Sequence, residues 1–150
     1  MVSNLYESFL TATRDVFQLM LDLSEINDCP VNTSDYEGES LTISIGIVGD
    51  LIGAVMYRFP RETSLKIVNI LSGMELDSVD DFVTSAIAEI ANIISGNVMT
   101  LMEKKDIQCD IRPPVPNAPE DDREYSLRTT RCICTAIGKV CMDIHLNPAR

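Results

Sequence analysis

The chain has 150 residues, which is the usual length of one domain with its own core. Its formal net charge of −11 and its lack of any basic cluster argue against a nucleic-acid partner, because a phosphate backbone would be repelled. No apolar run reaches the roughly 18 residues of a membrane span, and the N-terminus lacks the positive region of a secretion signal. We therefore expect a single domain, residues 1–150, that is cytoplasmic and does not insert into a membrane.

The first predicted element is an amphipathic helix over residues 3–22, with apolar residues at helical spacing. A turn-rich connection, 27–34, follows it. Two alternating apolar runs, 41–48 and 51–59, then flank Gly49-Asp50 and predict a β-hairpin. With those two residues as the turn, the expected pairs are Ile47 with Ile52, Ile45 with Ala54, Ile43 with Met56 and Gly46 with Gly53. We expect the two glycines to leave space for a helix to approach the sheet.

The segment after the hairpin predicts a short helix that begins at Pro60 and ends at Gly73. Downstream, residues 106–111 predict a strand, and 112–123 predict an exposed loop whose acids Glu120, Asp121 and Asp122 are solvated. The last region predicts a second hairpin with its turn at Ile137-Gly138. Its expected pairs are Ile133 with Met142, Arg131 with Ile144 and Cys134 with Cys141.

The longest helical pattern covers residues 78–105, with Ser78 as the expected N-cap and lysines at the end. Apolar residues recur there at steps of three and four, which predicts a largely buried helix. They are Phe82, Val83, Ala86, Ile87, Ile90, Ile93, Ile94, Val98, Leu101 and Met102. Helices and strands that occur in separate groups along the chain predict an α+β fold, with helices layered on an antiparallel sheet of two hairpins plus a strand.

Five cysteines are spread irregularly along the chain: Cys29, Cys109, Cys132, Cys134 and Cys141. Their odd number and spacing do not match a secreted disulfide framework, so we predict reduced thiols. Cys132, Cys134 and Cys141 could together hold a soft metal or respond to redox state. Because a structural zinc site usually has four ligands at knuckle spacing, we favour small buried side chains and assign no metal site.

Nucleophilic catalysis by a cysteine is disfavoured. The chain has one histidine, His145, and the predicted register places it beside Thr130 rather than beside a cysteine. A cysteine nucleophile needs its base within hydrogen-bond reach.

A narrow polar strip interrupts the long helix. Ser85, Glu89, Asn92 and Gly96 follow one another at steps of four, three and four, so they share one face. An isolated pair of this kind usually marks where a helix meets water. Here, however, the strip is narrow on an otherwise apolar helix, its neighbours are small, and the chain offers no other site. A carboxylate can hold a lysine and a carboxamide can orient a water, which together suit phosphoryl transfer.

The segment EIANIISGN, with Glu89, Asn92 and Gly96, resembles the E-x-x-N-x-x-x-G signature of the CheC/CheX/FliY group of chemotaxis phosphatases. The preceding hairpin and the following CDIRPPV segment resemble CheX in particular, in the same order along the chain. CheC-type members carry two such helices, whereas this sequence contains a single E-x-x-N. The single copy is similar to the CheX pattern.

The resemblance implies hydrolysis of the aspartyl phosphate of a phosphorylated CheY-type response regulator. Glu89 would pair with the invariant lysine of the receiver domain, and Asn92 would orient the attacking water. We expect Ser85, Ser95 and Gly96, which flank this pair, to contact the partner. The chain would need no cofactor of its own, because the receiver would bring the aspartate and Mg²⁺. The resemblance also implies a homodimer joined through sheet edges, with two sites.

Two other classes of function remain open from the sequence. The domain could bind the same receiver without hydrolysing its phosphate, or it could be a scaffold of a two-component or flagellar motor system. Substitution of Asn92 distinguishes the first from a phosphatase, since only a phosphatase would lose hydrolysis.

Overall fold

The computed structural model describes residues 2–119 and 123–149, so the predicted acidic run Glu120 to Asp122 lies outside the described residues. Within these ranges there are three α-helices, a short 3₁₀ helix and seven strands. In chain order these are α1 Val2–Leu21, β1 Ile26–Cys29, the 3₁₀ helix Thr33–Tyr36, β2 Ser40–Gly49, β3 Leu51–Pro60, α2 Arg61–Ser72, α3 Asp81–Glu103, β4 Cys109–Ile111, β5 Val115–Pro116, β6 Leu127–Thr135 and β7 Gly138–Pro148.

The strands form one antiparallel sheet in the order β1-β6-β7-β3-β2-β4, and β5 also pairs with β2. The three helices pack on one face of the sheet, where they bury the apolar residues of β2, β3, β6 and β7. The predicted α+β architecture is therefore confirmed. The structure adds two strands, β1 and β5, that have no periodic signal because each is four residues long or shorter.

The β2–β3 hairpin has a different register from the predicted one. Ile47 lies opposite Gly53, Ile45 opposite Val55 and Ile43 opposite Tyr57, a shift of one residue along β3. This register is set at the turn, where Asp50 is hydrogen-bonded to Gln108, the residue that precedes β4. Its backbone N–H donates to the Gln108 carbonyl at 2.9 Å, and its carboxylate accepts from the Gln108 N–H at 2.8 Å.

The expectation that a helix approaches the sheet over Gly46 and Gly53 is also wrong. Gly53 lies against the backbone of β7, where an added Cβ would collide with the His145 carbonyl. An added Cβ on Gly46 would meet the side chain of Arg112 at 3.1 Å. These glycines thus admit a neighbouring strand and a loop side chain, not a helix.

The β6–β7 hairpin is shifted by two residues from the predicted register. Cys132 lies opposite Cys141, and Thr135 lies opposite Gly138, which leaves Ala136-Ile137 as the turn. The Thr135 hydroxyl explains this closure, because it donates to the Gly138 carbonyl at 2.8 Å and accepts from the Ile137 N–H at 3.1 Å. The other two predicted pairs change accordingly: Ile133 lies opposite Val140 and Arg131 opposite Met142.

The connection after α1 is more ordered than predicted. Within the predicted turn region, β1 pairs with the edge of β6, and a segment across residues 30–37, here named the strap, follows it. The strap lies on the face of the sheet opposite the helices, where it contacts side chains of β3 and β7.

Helix α3 begins two residues later than predicted. Its N-cap is Asp80, whose carboxylate accepts from the Val83 N–H at 3.0 Å, whereas Ser78 lies outside the helix. After the helix, the Lys105 ammonium donates to the Ser8 hydroxyl of α1 at 3.0 Å. By length and composition α3 could cross a membrane, a property that the core helices of globular domains share.

The cysteines also depart from prediction. Two disulfides join Cys29 to Cys134 and Cys132 to Cys141, while Cys109 is a free thiol. The prediction of reduced thiols is therefore wrong for four of the five. The register shift explains the inner bond, because it brings Cys132 and Cys141 directly opposite each other.

Candidate functional site

One face of α3 belongs to the core. Its fully or nearly fully buried residues follow helical steps along the whole element: Val83, Ile87, Ile90, Ala91, Ile94, Ser95, Val98 and Met102. They pack against α1, α2 and the sheet, so the backbone of α3 is held on several sides. A side chain on the opposite face is therefore attached to a rigidly held backbone.

Ser85, Glu89, Asn92 and Gly96 occupy that opposite face, and these four residues are named the polar stripe. Ser85 and Glu89 are exposed, while Asn92 and Gly96 are half-buried. The structure thus brings four of the five candidate residues together on one face of the helix.

The functional groups of the stripe have no partner inside the described chain. Among residues 2–119 and 123–149, the Glu89 carboxylate and the Asn92 carboxamide form no hydrogen bond or ion pair. Each therefore keeps its full capacity to accept a hydrogen bond, and Asn92 can also donate two.

Gly96 is not required by packing in this chain. A Cβ added there would meet nothing within 4 Å, and its backbone is ordinary helix. A glycine in the middle of a helix lowers its stability by about 0.5–1 kcal/mol relative to alanine. The glycine therefore leaves an open notch beside Asn92 at a cost to the stability of the helix.

Ser95 must be removed from the candidate partner contacts. It is fully buried, and its hydroxyl shares a hydrogen bond of 2.9 Å with the hydroxyl of Tyr57 on β3. A partner cannot reach it without unfolding the helix. Burial raises the pKa of the Tyr57 phenol well above its ordinary value, so the hydroxyl stays protonated and joins α3 to the sheet.

Sequence reasoning placed Phe82 in the core, but its exposed fraction is 51%. It lies three residues before Ser85, at the N-terminal end of the polar stripe, because Val83 takes the buried position. On the neighbouring α2 and its C-terminal turn, Ile70 and Met74 are also exposed. The sequence does contain a signal for this exposure. Phe82 and Val83 are consecutive apolar residues, and only one of two consecutive helical residues can point directly into the core.

The histidine offers no alternative site. His145 lies opposite Arg128, rather than the predicted Thr130, and its ring centroid is 5.4 Å from that of Tyr125. Cys141 is four residues away along the same strand, about 13 Å at the usual strand rise. A cysteine–histidine pair is therefore not formed there.

The fold defined by these elements is that of the chemotaxis phosphatases. CheX from Vibrio vulnificus has a TM-score of 0.79 at 19% identity, with 95% of this chain and 99% of that chain covered. A CheX–CheY–BeF3–Mg²⁺ complex from Borrelia burgdorferi has a TM-score of 0.73 at 22% identity, with 95% and 97% covered.

The sequence comparisons identify the particular family. The family model described as chemotaxis phosphatase CheX matches residues 41–135. The CheY-P phosphatase CheX of Thermotoga maritima is 38% identical over 110 residues, which covers 72% of this chain and 71% of that protein. The chain belongs to the CheX family of chemotaxis phosphatases. The matched range includes all of α3, so the polar stripe lies within the shared region.

Proposed function

We propose that this protein hydrolyses the aspartyl phosphate of a phosphorylated CheY-type receiver domain, and that the polar stripe of α3 enters the active site of the receiver. The observation that carries the proposal is the exposed Glu89 and half-buried Asn92, both without partners in the described chain, on a rigid helix. The name of the Thermotoga maritima relative, CheY-P phosphatase CheX, supports the substrate.

Glu89 is the proposed docking group. An exposed carboxylate can accept charge-assisted hydrogen bonds from a lysine ammonium, and such bonds are short and stronger than neutral ones. Because the receiver lysine would be paired only in the complex, Glu89 supplies binding energy and orientation there. Its position one helical turn from Asn92 fixes the distance between the docking point and the reacting phosphate.

Asn92 is the proposed catalytic residue. Its carboxamide oxygen can accept a hydrogen bond from a water molecule and hold it in line with the phosphorus atom. Phosphoryl transfer depends mainly on positioning and charge stabilisation, so a neutral side chain can accelerate it without acting as a strong base. The notch at Gly96 and the small side chain of Ser85 would allow the receiver to approach on both sides.

The metal of the reaction is proposed to belong to the partner. The Borrelia burgdorferi complex contains both CheY and Mg²⁺, which supports a receiver that carries the ion. In our proposal this chain contributes Glu89 and Asn92, and the receiver contributes its phosphorylated aspartate, its lysine and its Mg²⁺.

We also propose a cytoplasmic homodimer with one site per chain. The sheet ends at β1 on one side and at β4 and β5 on the other, and all three are short strands. Because β1 pairs only with Cys132–Thr135 of β6, the described residues Leu127–Arg131 of that strand offer their outer backbone groups for pairing with a second chain. Sedimentation of the purified chain tests this directly, because a mass of one chain at micromolar concentration would contradict it.

The proposal is tested by phosphate loss from a phosphorylated CheY-type receiver with Mg²⁺. Wild type and Asn97→Ala should accelerate loss, whereas Asn92→Ala should match the rate without added protein. Asn97 is a suitable control because it is exposed on the same helix, and five residues turn it about 140° from Asn92. If Asn92→Ala retains full activity, the site assignment is wrong. If wild type binds the receiver without accelerating loss, the protein is a docking module.

A further inference from the structure

Four of the five cysteines form a cluster on the sheet face that the helices leave free. Core residues Ile133 and Met142 point towards the helices, so Cys132 and Cys141, which alternate with them, point the other way. Cys29 is the cross-strand partner of Cys132. Cys134 follows Cys132 by two residues and therefore shares its face. Three neighbouring strands thus contribute sulfur atoms to one patch.

The strap covers this patch through contacts that do not need the disulfides. The Lys139 ammonium bonds the Pro30 carbonyl at 2.7 Å and the Asp35 carboxylate at 2.9 Å. Arg58 donates to the Asp35 carbonyl at 2.9 Å, and Tyr36 donates to the Asp143 carboxylate at 3.0 Å. These contacts attach the strap to β3 and β7, while the strand register keeps the cysteines close together.

The Asp35 side chain of the strap lies next to the inner disulfide. One of its carboxylate oxygens lies 3.8 Å from the Cys132 sulfur. Burial raises the pKa of Asp35, but the Asn32 backbone N–H and Lys139 outweigh that effect and lower it overall. The carboxylate is therefore charged at neutral pH and engaged by Lys139.

The two cysteine pairs differ in access to solvent. Cys132 is fully buried and Cys141 is 4% exposed beneath the strap. Cys29 and Cys134 are half-buried at the outer edge of the sheet. The outer pair is therefore placed for reaction with small molecules, and the inner pair is shielded.

We propose that these cysteines form a thiol–disulfide site in which Cys29 and Cys134 are the reactive outer pair, and that their bond clamps the strap over the inner pair, Cys132 and Cys141. The site does not depend on the proposed hydrolysis. It lies on the opposite face of the sheet from α3, so its oxidation regulates the strap and the β1 edge of the sheet.

The co-reactant is a low-molecular-weight disulfide such as oxidised glutathione. The Cys134 thiolate attacks one of its sulfur atoms and releases one thiolate. The Cys29 thiolate then attacks the Cys134 sulfur, which releases the second thiolate and forms the Cys29–Cys134 bond. Two protein thiols are oxidised and one small disulfide is reduced to two thiols. In a reducing compartment the reverse reaction opens the bond.

The test is a stepwise reduction of the oxidised full-length protein with glutathione, followed by alkylation and mass mapping of the linked peptides. We expect the Cys29–Cys134 link to be lost first and the Cys132–Cys141 link only afterwards. In the double variant Cys29→Ser/Cys134→Ser, the inner link should be reduced several-fold faster, and amide exchange of residues 30–37 should accelerate. Cys109→Ser is the matched control and should change neither rate, because Cys109 lies at β4.

Three results would overturn the proposal. The inner link could be lost first, or the outer cysteines could remain alkylatable after treatment with oxidised glutathione. Alternatively, the reduced protein could bind one zinc ion per chain and thereby protect Cys132 and Cys141 from alkylation. That result would make the Asp35, Cys132 and Cys141 group, whose ligand atoms lie within 4.8 Å of one another, a metal site.

Discussion

The two faces of α3 use their side chains in different ways. On the inner face, residues such as Ile87, Ile90 and Ile94 are buried in the core. On the outer face, Glu89 and Asn92 make no side-chain bond within the described residues. The helix therefore separates its contribution to the fold from its proposed contribution to the reaction. Substitutions of buried residues on the inner face should lower stability and leave hydrolysis per folded molecule unchanged, whereas those on the outer face should alter docking or hydrolysis without lowering stability.

Two glycines show the same difference between residues that the fold requires and residues that it does not. At Gly53 an added Cβ would collide with the His145 carbonyl, so the fold requires glycine there. At Gly96 an added Cβ would meet nothing within 4 Å, so the fold does not require it. Because the packing of this chain does not require glycine at position 96, and Gly96 lies beside the proposed catalytic residue, we infer that a partner protein approaches the helix closely there.

The largest expected effect on stability comes from Ile90→Ala on the inner face. Ile90 is 1% exposed, and removal of a buried side chain of this size costs about 2–5 kcal/mol of unfolding free energy. Urea denaturation measures this cost. Hydrolysis per folded molecule should be unchanged, and a loss of hydrolysis without a loss of stability would contradict the separation of the two faces.

Glu89→Ala should weaken receiver docking by about 1.5–3 kcal/mol, because a charge-assisted hydrogen bond to the lysine is lost. This corresponds to a dissociation constant raised roughly 10- to 150-fold. Titration calorimetry with the phosphorylated or phosphate-mimicking receiver measures the change. Glu103→Ala is the control, since Glu103 is an exposed carboxylate at the end of the same helix. Equal weakening by both variants would indicate a general charge effect.

Tyr57→Phe should lower the unfolding free energy by about 1–3 kcal/mol, because the buried Ser95 hydroxyl loses its hydrogen-bond partner inside the core. The combination with Ser95→Ala completes a double-mutant cycle. If the two residues act through their shared bond, the effects will be less than additive. Receiver affinity should not change, and a lower affinity for Ser95→Ala alone would restore Ser95 as a partner contact.

The smallest expected effect on stability is that of Gly96→Ala, and its sign is opposite. The variant should be more stable by about 0.5–1 kcal/mol, since alanine is the better helix former and the space is open. Receiver docking should nevertheless be weaker, because the new methyl group fills the notch. Improved stability with unchanged docking would show that the receiver does not approach this position.

The inner and outer faces of α3 could be read from sequence because the helical period repeats over more than five turns. Even the burial of Ser95 follows from that period, since Ser95 lies four residues after Ala91 and three before Val98, both buried. The hairpin registers could not be read, because contacts of Asp50 with Gln108 and of Thr135 within its turn decide them. The prediction of reduced thiols was wrong for a related reason, since the pairing of Cys132 with Cys141 depends on the β6–β7 register and the strap beside them has no periodic pattern.

The most direct test is a single-turnover measurement with the phosphorylated receiver saturated by protein. Wild type and Asn92→Ala are compared after equal unfolding free energies and equal receiver affinities have been verified. The proposed mechanism predicts hydrolysis about 10²- to 10³-fold slower for Asn92→Ala, as expected when one positioned polar group is removed from a transition state. Equal hydrolysis rates at saturation would contradict the assignment of Asn92 and with it the catalytic role of the outer face.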